Sequence, residues 1–332
     1  MNQNNKNAAT ICKSLGGPDS LEFESLPDEV VGPEEILIET KALALNFPDL
    51  LMTYGKYQFK PELPFALGME GAGVVIGKGA DAKSFDVGDH VIFKGKTGAS
   101  KRYIAVSESD VSRAPNNLSF EEAASFAVTF STAYVSLVRR GRLRAGETVL
   151  ITGAGGGVGQ ASVAIAKALG ATVIAAASDP NKLEIAAASG ADHLINYQDK
   201  DWEIGVEAKT GGEGVDVILD PVGGAFLKSA LVTLKPMGRA LIVGFASGSF
   251  GEVDLQSVRD NGQEIIGVRA GEYGRRNPKA GQSAWDELVS LTQNHDLKPH
   301  IGKIWEERQV KDALIAMEKR EVSGKQVIRL NR

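Results

Sequence analysis

Between residues 147 and 268, apolar positions gather into short unbroken runs, separated by longer stretches in which they recur every three or four residues. Thr148-Val149-Leu150-Ile151 is a run of the first kind, and such a run bounded by turn residues predicts a strand buried on both faces. Ala161, Ala164, Ile165, Ala168 and Leu169 then fall at helical spacing, and Gly170 is placed to stop that helix. The alternation repeats. Residues 171–177 read as a strand, a helix opens at Asp179-Pro180 and closes at Gly190, and 193–196 read as a short strand. Further runs occupy 215–219, 240–244 and 264–268, with a helical stretch at 225–234. Six strands alternating with helices predict an α/β domain with a doubly wound parallel sheet over residues 126–266.

The flanks are patterned differently. Short β-type segments at 35–41, 73–78 and 90–93 are punctuated by Gly16-Gly17-Pro18, Gly32-Pro33 and Gly88-Asp89, which predicts a β-rich barrel over residues 1–125. Residues 285–293 and 310–319 read as helices and 324–330 as a closing strand. The central sheet is complete without them, so 267–332 are expected to return to the first domain. A chain of 332 residues is too long for one ordinary core, in keeping with two domains.

Candidate chemistry begins with Gly153-Ala154-Gly155-Gly156-Gly157-Val158-Gly159, which joins the first predicted strand to the first predicted helix. Glycines let the backbone turn tightly and approach a phosphate pair, while the helix directs unsatisfied N–H groups and a partial positive charge at it. In this strand–loop–helix setting, Ala154, Gly155, Gly156, Gly157, Val158 and Gly159 are expected to hold a dinucleotide, as in a Rossmann domain. Composition narrows the alternatives. A net charge of −5 leaves no dominant basic face, so nucleic-acid binding is not expected. The polar start Met1-Asn2-Gln3-Asn4-Asn5 has no apolar signal core, and no apolar stretch reaches the length of about 18 that a membrane helix needs. The expected compartment is the cytoplasm. A single cysteine, Cys12, excludes an intramolecular disulfide and a multi-thiolate metal site, and is read as a small buried side chain.

The order of these domains, together with Asn46-Phe47-Pro48-Asp49, Leu67-Gly68-Met69-Glu70-Gly71-Ala72-Gly73, the glycine run and Asp220-Pro221-Val222-Gly223-Gly224, resembles the medium-chain dehydrogenase/reductase superfamily. The resemblance is closest to its zinc-free quinone oxidoreductase branch and implies a GroES-like first domain. The positions that hold catalytic zinc in the zinc-dependent alcohol dehydrogenases of that superfamily carry Asn46, Met69 and Val128, which do not make a zinc site. No metal is expected. Hydride transfer to a simple ketone builds alkoxide charge that calls for a Lewis acid or strong proton donor, whereas a quinone or an α,β-unsaturated carbonyl delocalises it. The resemblance thus implies a small-molecule conjugated acceptor. Leu51 stands where several quinone oxidoreductases carry tyrosine, which favours smaller enones or acrylate-like compounds.

For the nicotinamide cofactor, two readings meet at Asp179. An acidic residue ending the second strand can hold a ribose 2′-hydroxyl and favour NAD, but Asp followed by Pro is also a helix N-cap signature, and the cap is preferred here. The resemblance assigns a 2′-phosphate site to Ser178, Lys182 and Tyr197, with Arg320 as the C-terminal arginine, and so implies NADPH. Around the nicotinamide it implies Asn46, Thr129, Thr132, Gly244, Phe245 and the segment from Val268 to Gly271. Asn46 would donate its amide to a ribose hydroxyl or to the acceptor's carbonyl oxygen. Tyr54 and Tyr57 are expected to line the substrate cleft, and Asp49 and Glu70 to hold its loops. His90, His193, His295 and His300 show no paired ligand spacing. The family further implies a homodimer paired along the strand at 264–268. The reading from another class is a protein that binds NADPH without turnover, kept for a crystallin-like structural or RNA-binding role.

Overall fold

Fully buried apolar side chains form the central strands of the parallel sheet. In the computed structural model, which describes residues 7–330, Val149, Leu150, Ile151, Val173, Ile174, Ala175, Ala176 and Ala177 are all fully buried. They lie on the strands Thr148–Thr152 and Thr172–Ala177. The helix Gly157–Ala168 buries Gly159 and Ala161 among a run of mostly small residues, which lets it lie close to the sheet. Six strands stand in the order His193–Asn196, Thr172–Ala177, Thr148–Thr152, Val215–Asp220, Leu234–Ile242, Glu264–Gly267, every neighbouring pair parallel. This is the doubly wound order, with its reversal between Thr148–Thr152 and Val215–Asp220. The fifth strand starts earlier than the apolar run at 240–244 suggests. Leu234 already pairs with Val215, and a register shift takes up residues 235–238 before Arg239 pairs with Val217.

The β-rich unit is organised around one long strand, Glu35–Leu45. Its first half pairs with Tyr103–Ser107 and its second half with Lys325–Arg329, while Glu70–Lys78 pairs along its other edge. Lys325–Arg329 runs parallel to Ile301–Glu306, with the helix Val310–Glu318 crossing between them. A smaller sheet joins Ala8–Cys12 to Leu21–Ser25 and Phe65–Ala66. Cys12 is fully buried there, and burial pushes its thiol pKa up.

The chain divides into one unit that ends at Val128 and resumes at Ile301, and another spanning Thr129–His300. Residues 267–300 therefore belong with the parallel sheet, not with the β-rich domain to which the sequence assigned them. They add no strand to the sheet beyond Glu264–Gly267; they pack beside it as helices. Glu287, on the helix Pro278–His295, accepts a hydrogen bond from the Tyr134 hydroxyl (2.6 Å) and pairs with Arg139 (2.5 Å). Tyr134 ends the helix Ala127–Tyr134, which continues as a π-helical turn, Val135–Arg140. The helix Trp202–Lys209, too polar to stand out in the sequence, covers the sheet with Trp202 and Val206.

Candidate functional site

In an open parallel sheet, ligands bind at the carboxyl ends of the strands, beside the reversal of strand order. Five of the predicted cofactor segments meet that edge in the parallel-sheet unit. The first strand ends at Thr152, and the chain turns through Gly153 (φ 59°) into the helix that begins at Gly157. The glycines are required by contact. A Cβ at Gly159 would lie 2.2 Å from the Gly153 carbonyl oxygen, and one at Gly155 would lie 2.4 Å from Lys182 Cβ. Gly156 caps the helix in extended conformation and is exposed, Gly157 and Val158 are half-buried, and Ala154 is buried with its N–H donated to Ala176 (3.1 Å). The first helical turn leaves N–H groups without intrahelical partners beside this loop, which suits a pyrophosphate.

The Asp220-Pro221-Val222-Gly223-Gly224 turn braces the loop from the next strand. Buried Asp220 accepts hydrogen bonds from the Thr152 hydroxyl, from Val222 N–H (3.0 Å) and from Gly223 N–H (2.9 Å), while burial pushes its pKa up. A Cβ at Gly153 would meet Val222 at 2.8 Å. The segment after the fifth strand bonds to the same turn: Gly244 N–H reaches the Asp220 carbonyl at 3.3 Å and Ala246 N–H the Pro221 carbonyl at 3.1 Å. Phe245 packs on Phe250, and buried Val268 donates its N–H to Ile242 (2.9 Å). Thr129 is buried and Thr132 half-buried. Both lie within the helix Ala127–Tyr134, so neither is its cap.

At the end of the second strand, Ser178, Asp179 and Lys182 form a closed group. Asp179 caps the helix Pro180–Ala188 by accepting Lys182 N–H at Oδ1 (3.1 Å), which bears out the capping pattern in the sequence. Its Oδ2 accepts the Ser178 hydroxyl (3.0 Å) and pairs with Lys182 Nζ (2.9 Å), which also donates to Ser178 Oγ (3.2 Å). Partial burial opposes ionisation of Asp179, but the hydrogen bonds from Lys182 and Ser178 outweigh it and hold the carboxyl below its usual range. Tyr197 stands on the adjoining strand end, its N–H on the Ala177 carbonyl (3.1 Å) and its ring on Phe226 (4.4 Å between centroids). Arg320 belongs to the β-rich unit, in a left-handed turn (φ 58°) after the helix Val310–Glu318.

The β-rich unit contains a second polar group, and it is buried. Asn46 caps the helix Phe47–Thr53 and is 7% exposed. Its amide Nδ2 donates to Glu70 Oε1 (2.9 Å) and to the Ala44 carbonyl (3.3 Å), and its Oδ1 accepts from Lys325 Nζ (2.8 Å). Both amide N–H bonds therefore point into the protein, and a donor role toward a bound molecule requires one to be released. Lys325 Nζ also pairs with Glu70 Oε1 (2.9 Å) and donates to the Leu45 carbonyl (3.1 Å), while Glu70 Oε2 accepts Val128 N–H (2.7 Å). Asp49, fully buried, accepts Asn46 N–H (2.8 Å). Burial pushes its pKa up to about 7, against the opposing pull of that N–H and of Lys325. Met69 packs against the core of this unit, as do Tyr54 and Tyr57. The Tyr54 hydroxyl donates to Glu318 (2.7 Å), a bond that raises its pKa, and the Tyr57 hydroxyl accepts from Gln58 (3.4 Å).

Lys325 was missed by the sequence reading. The available signal was a lysine and a glutamine opening a strand whose first four residues are buried. Among the described residues, no group of three or more His, Cys, Asp or Glu side chains is arranged to hold a metal ion, and no helix is long and apolar enough to cross a membrane.

Residues 32–116 match the alcohol dehydrogenase GroES-like domain family and residues 157–294 the zinc-binding dehydrogenase family. Quinone oxidoreductase-like protein 2 of Bos taurus is 32% identical over 97% of this chain and 92% of its own. The chain belongs to the quinone oxidoreductase branch of the medium-chain dehydrogenase/reductase superfamily. Two solved structures of this superfamily share its fold. Escherichia coli quinone oxidoreductase complexed with NADPH superimposes with a TM-score of 0.88 at 27% identity, covering 97% of this chain and 99% of its own. The CurK enoyl reductase gives 0.88 at 27% identity, over 98% and 100%. As a member of this branch the chain is an oxidoreductase of the nicotinamide-dependent kind.

Proposed function

We propose that this protein is an NADPH-dependent, metal-free reductase of conjugated acceptors, quinones or α,β-unsaturated carbonyls, acting as a cytoplasmic homodimer. The observation that carries the reading is the carboxyl edge of the parallel sheet. There a glycine loop suited to a pyrophosphate lies against Lys182, whose ammonium stands beside Ser178 at the place where an adenosine ribose would end. When bound, the nicotinamide would supply a hydride. The chain's own residues bind and orient: the loop N–H groups take the pyrophosphate, Ser178, Lys182 and Tyr197 the 2′-phosphate, and Thr129, Thr132, Gly244, Phe245 and Val268 flank the nicotinamide.

The side chains at the three positions do not suit zinc. Asn46 is held by Lys325 and Glu70, Met69 packs in the core, and Val128 offers only its backbone. Such a site favours acceptors that spread their own developing charge. Tyr57 remains the candidate to stack on a flat acceptor. The CurK enoyl reductase, a C=C reductase by name, supports an activated alkene as the acceptor class. The edge strand Glu264–Gly267 supports pairing between two copies.

The test is oxidation of NADPH and NADH by the purified protein across a panel of quinones and small enones. Turnover with NADPH, greater for small enones than for 1,2-naphthoquinone, is expected. Tight NADPH binding with no turnover on any acceptor would establish the non-catalytic reading instead, and stoichiometric zinc in active protein would overturn the metal-free one.

A further inference from the structure

Past the last strand of the parallel sheet, the chain turns basic. The helix Ala270–Arg276 follows the strand Glu264–Gly267 after only Val268 and Arg269, and on it three guanidiniums share one carboxylate. Glu272 lies 2.7 Å from Arg275, 3.4 Å from Arg276 and 4.0 Å from Arg269. The arginine side chains are 56%, 80% and 57% exposed, so the charge that one carboxylate leaves over faces water. Arg140, also exposed, donates to the Gly267 carbonyl (3.3 Å) and brings a fourth guanidinium to the same strand end. This runs against a chain whose net charge is −5. The helix is firmly seated. A Cβ on Gly281 would stand 2.7 Å from Gly274 Cα, so Ala270–Arg276 and Pro278–His295 meet backbone to backbone, and the shorter helix also packs on the π-helical turn Val135–Arg140.

The cofactor's phosphates belong elsewhere on this edge. The glycine loop follows Thr148–Thr152, and Ser178 and Lys182 follow Thr172–Ala177, which stands four strand positions from Glu264–Gly267. At about 4.8 Å per strand, that is roughly 19 Å. The neighbour of the arginines is the strand end at Val268, which flanks the nicotinamide in the proposed reductase, so an anion bound to them belongs to the acceptor. We infer that the acceptor is an α,β-unsaturated acyl thioester on a phosphate-bearing nucleotide handle, and that Arg269, Arg275 and Arg276, with Arg140, form the subsite for its phosphates. Guanidinium pairs with phosphate bidentately, and several phosphate charges match a cluster that a single carboxylate leaves unneutralised. The thioester carbonyl activates the alkene, while a long handle lets the phosphates stay at the surface. Reduction adds a hydride from NADPH at the β carbon and a proton from water at the α carbon, leaving NADP+ and the saturated thioester. The inference rests on the proposed reductase function and names its acceptor class.

The experiment compares crotonyl-CoA with crotonyl-pantetheine, which presents the same enoyl thioester without any phosphate. NADPH oxidation is followed with the wild-type protein, the double variant Arg275→Gln/Arg276→Gln and Glu272→Gln, each checked for folding by a thermal melt. Wild type is expected to favour crotonyl-CoA in kcat/KM by about tenfold or more at low salt, and to lose much of that preference as salt is added. The double variant should cut the ratio about tenfold, mainly through KM, because two phosphate contacts are gone. Glu272→Gln should raise it, since a carboxylate that competes with phosphate for the same guanidiniums has been neutralised. Equal use of the two thioesters by wild type, or a preference that survives in the double variant, overturns the inference. Turnover of quinones or small enones with neither thioester overturns it as well, and leaves the reductase reading standing. If no acceptor of any class turns over, both fall together.

Discussion

The protein uses a carboxylate, an ammonium and a neutral polar side chain twice, in opposite surroundings. Ser178–Asp179–Lys182 lies at the open edge of the parallel sheet, its ion pair 23% and 38% exposed, whereas Asn46–Glu70–Lys325 lies inside the β-rich unit, its ion pair 3% and 0% exposed. The N–O distance is 2.9 Å in both. What differs is the surrounding dielectric, and with it the cost of letting go. At the edge, water replaces a lost partner cheaply, so the pair can be exchanged for a ligand. In the interior, a stranded charge has no substitute, so the pair works as a fastener. It ties the cap of Phe47–Thr53 and the strands Glu35–Leu45, Glu70–Lys78 and Lys325–Arg329 together through one ammonium.

Breaking the interior pair should have the largest effect. Lys325→Met leaves Glu70 buried without its counter-charge and is expected to cost about 3–5 kcal/mol in urea unfolding. Adding Glu70→Gln should recover part of that loss; no recovery would mean that Lys325 acts through packing and not through charge.

Next comes the glycine loop. Gly159→Ala would drive a Cβ to within 2.2 Å of a backbone oxygen, which must move, at a cost of about 1–3 kcal/mol and with weakened NADPH binding by titration. Gly156→Ala, whose Cβ would stand 3.3 Å from the same oxygen, should do measurably less harm. Equal effects would show that flexibility, not contact, is what the loop needs.

The third effect is one of pH. Because the Asp49 pKa is raised from 3.8 to about 7 on folding, the folded protein binds a proton there that the unfolded chain has already lost. The associated stability is full below about pH 4 and is lost as pH rises through about 7. Asp49→Asn should flatten that part of the stability–pH profile, measured by denaturant unfolding from pH 4 to 8; an unchanged slope would show that Asp49 is not the group responsible.

The smallest effect is expected at the edge pair. Asp179→Asn should change unfolding free energy by at most about 1 kcal/mol. A loss approaching that of Lys325→Met would erase the contrast between the two groups.

The strands of the parallel sheet and the glycine loop were legible because their signals are local. Thr148 to Ile151 is an apolar run beside a glycine turn, and Asp179-Pro180 announces a helix start within two residues. Residues 267–300 were not legible in the same way. A helix pattern such as that around Trp285 specifies a buried face, and only the Glu287 contacts with Tyr134 and Arg139 show against which unit it is buried. Asn46 illustrates the same limit within a site. Its amide suggested a donor to a ribose hydroxyl or an acceptor carbonyl, yet the amide's partners are Glu70 and Lys325, 24 and 279 residues away.

By itself, then, the sequence determined the doubly wound sheet, the loop that suits a dinucleotide, and the residue types, Asn46, Met69 and Val128, on which the expectation of no zinc rests, because each follows from neighbours along the chain or from side-chain identity alone. Only the tertiary structure decided that Lys325 sits under Asn46 and Glu70, that Asp179 already occupies Lys182, and which unit receives residues 267–300. Hydrogen bonds and ion pairs act over about 3 Å and in fixed directions. Which groups come within that reach is set by how strands far apart in the chain pair and pack, and no periodicity in the sequence records it.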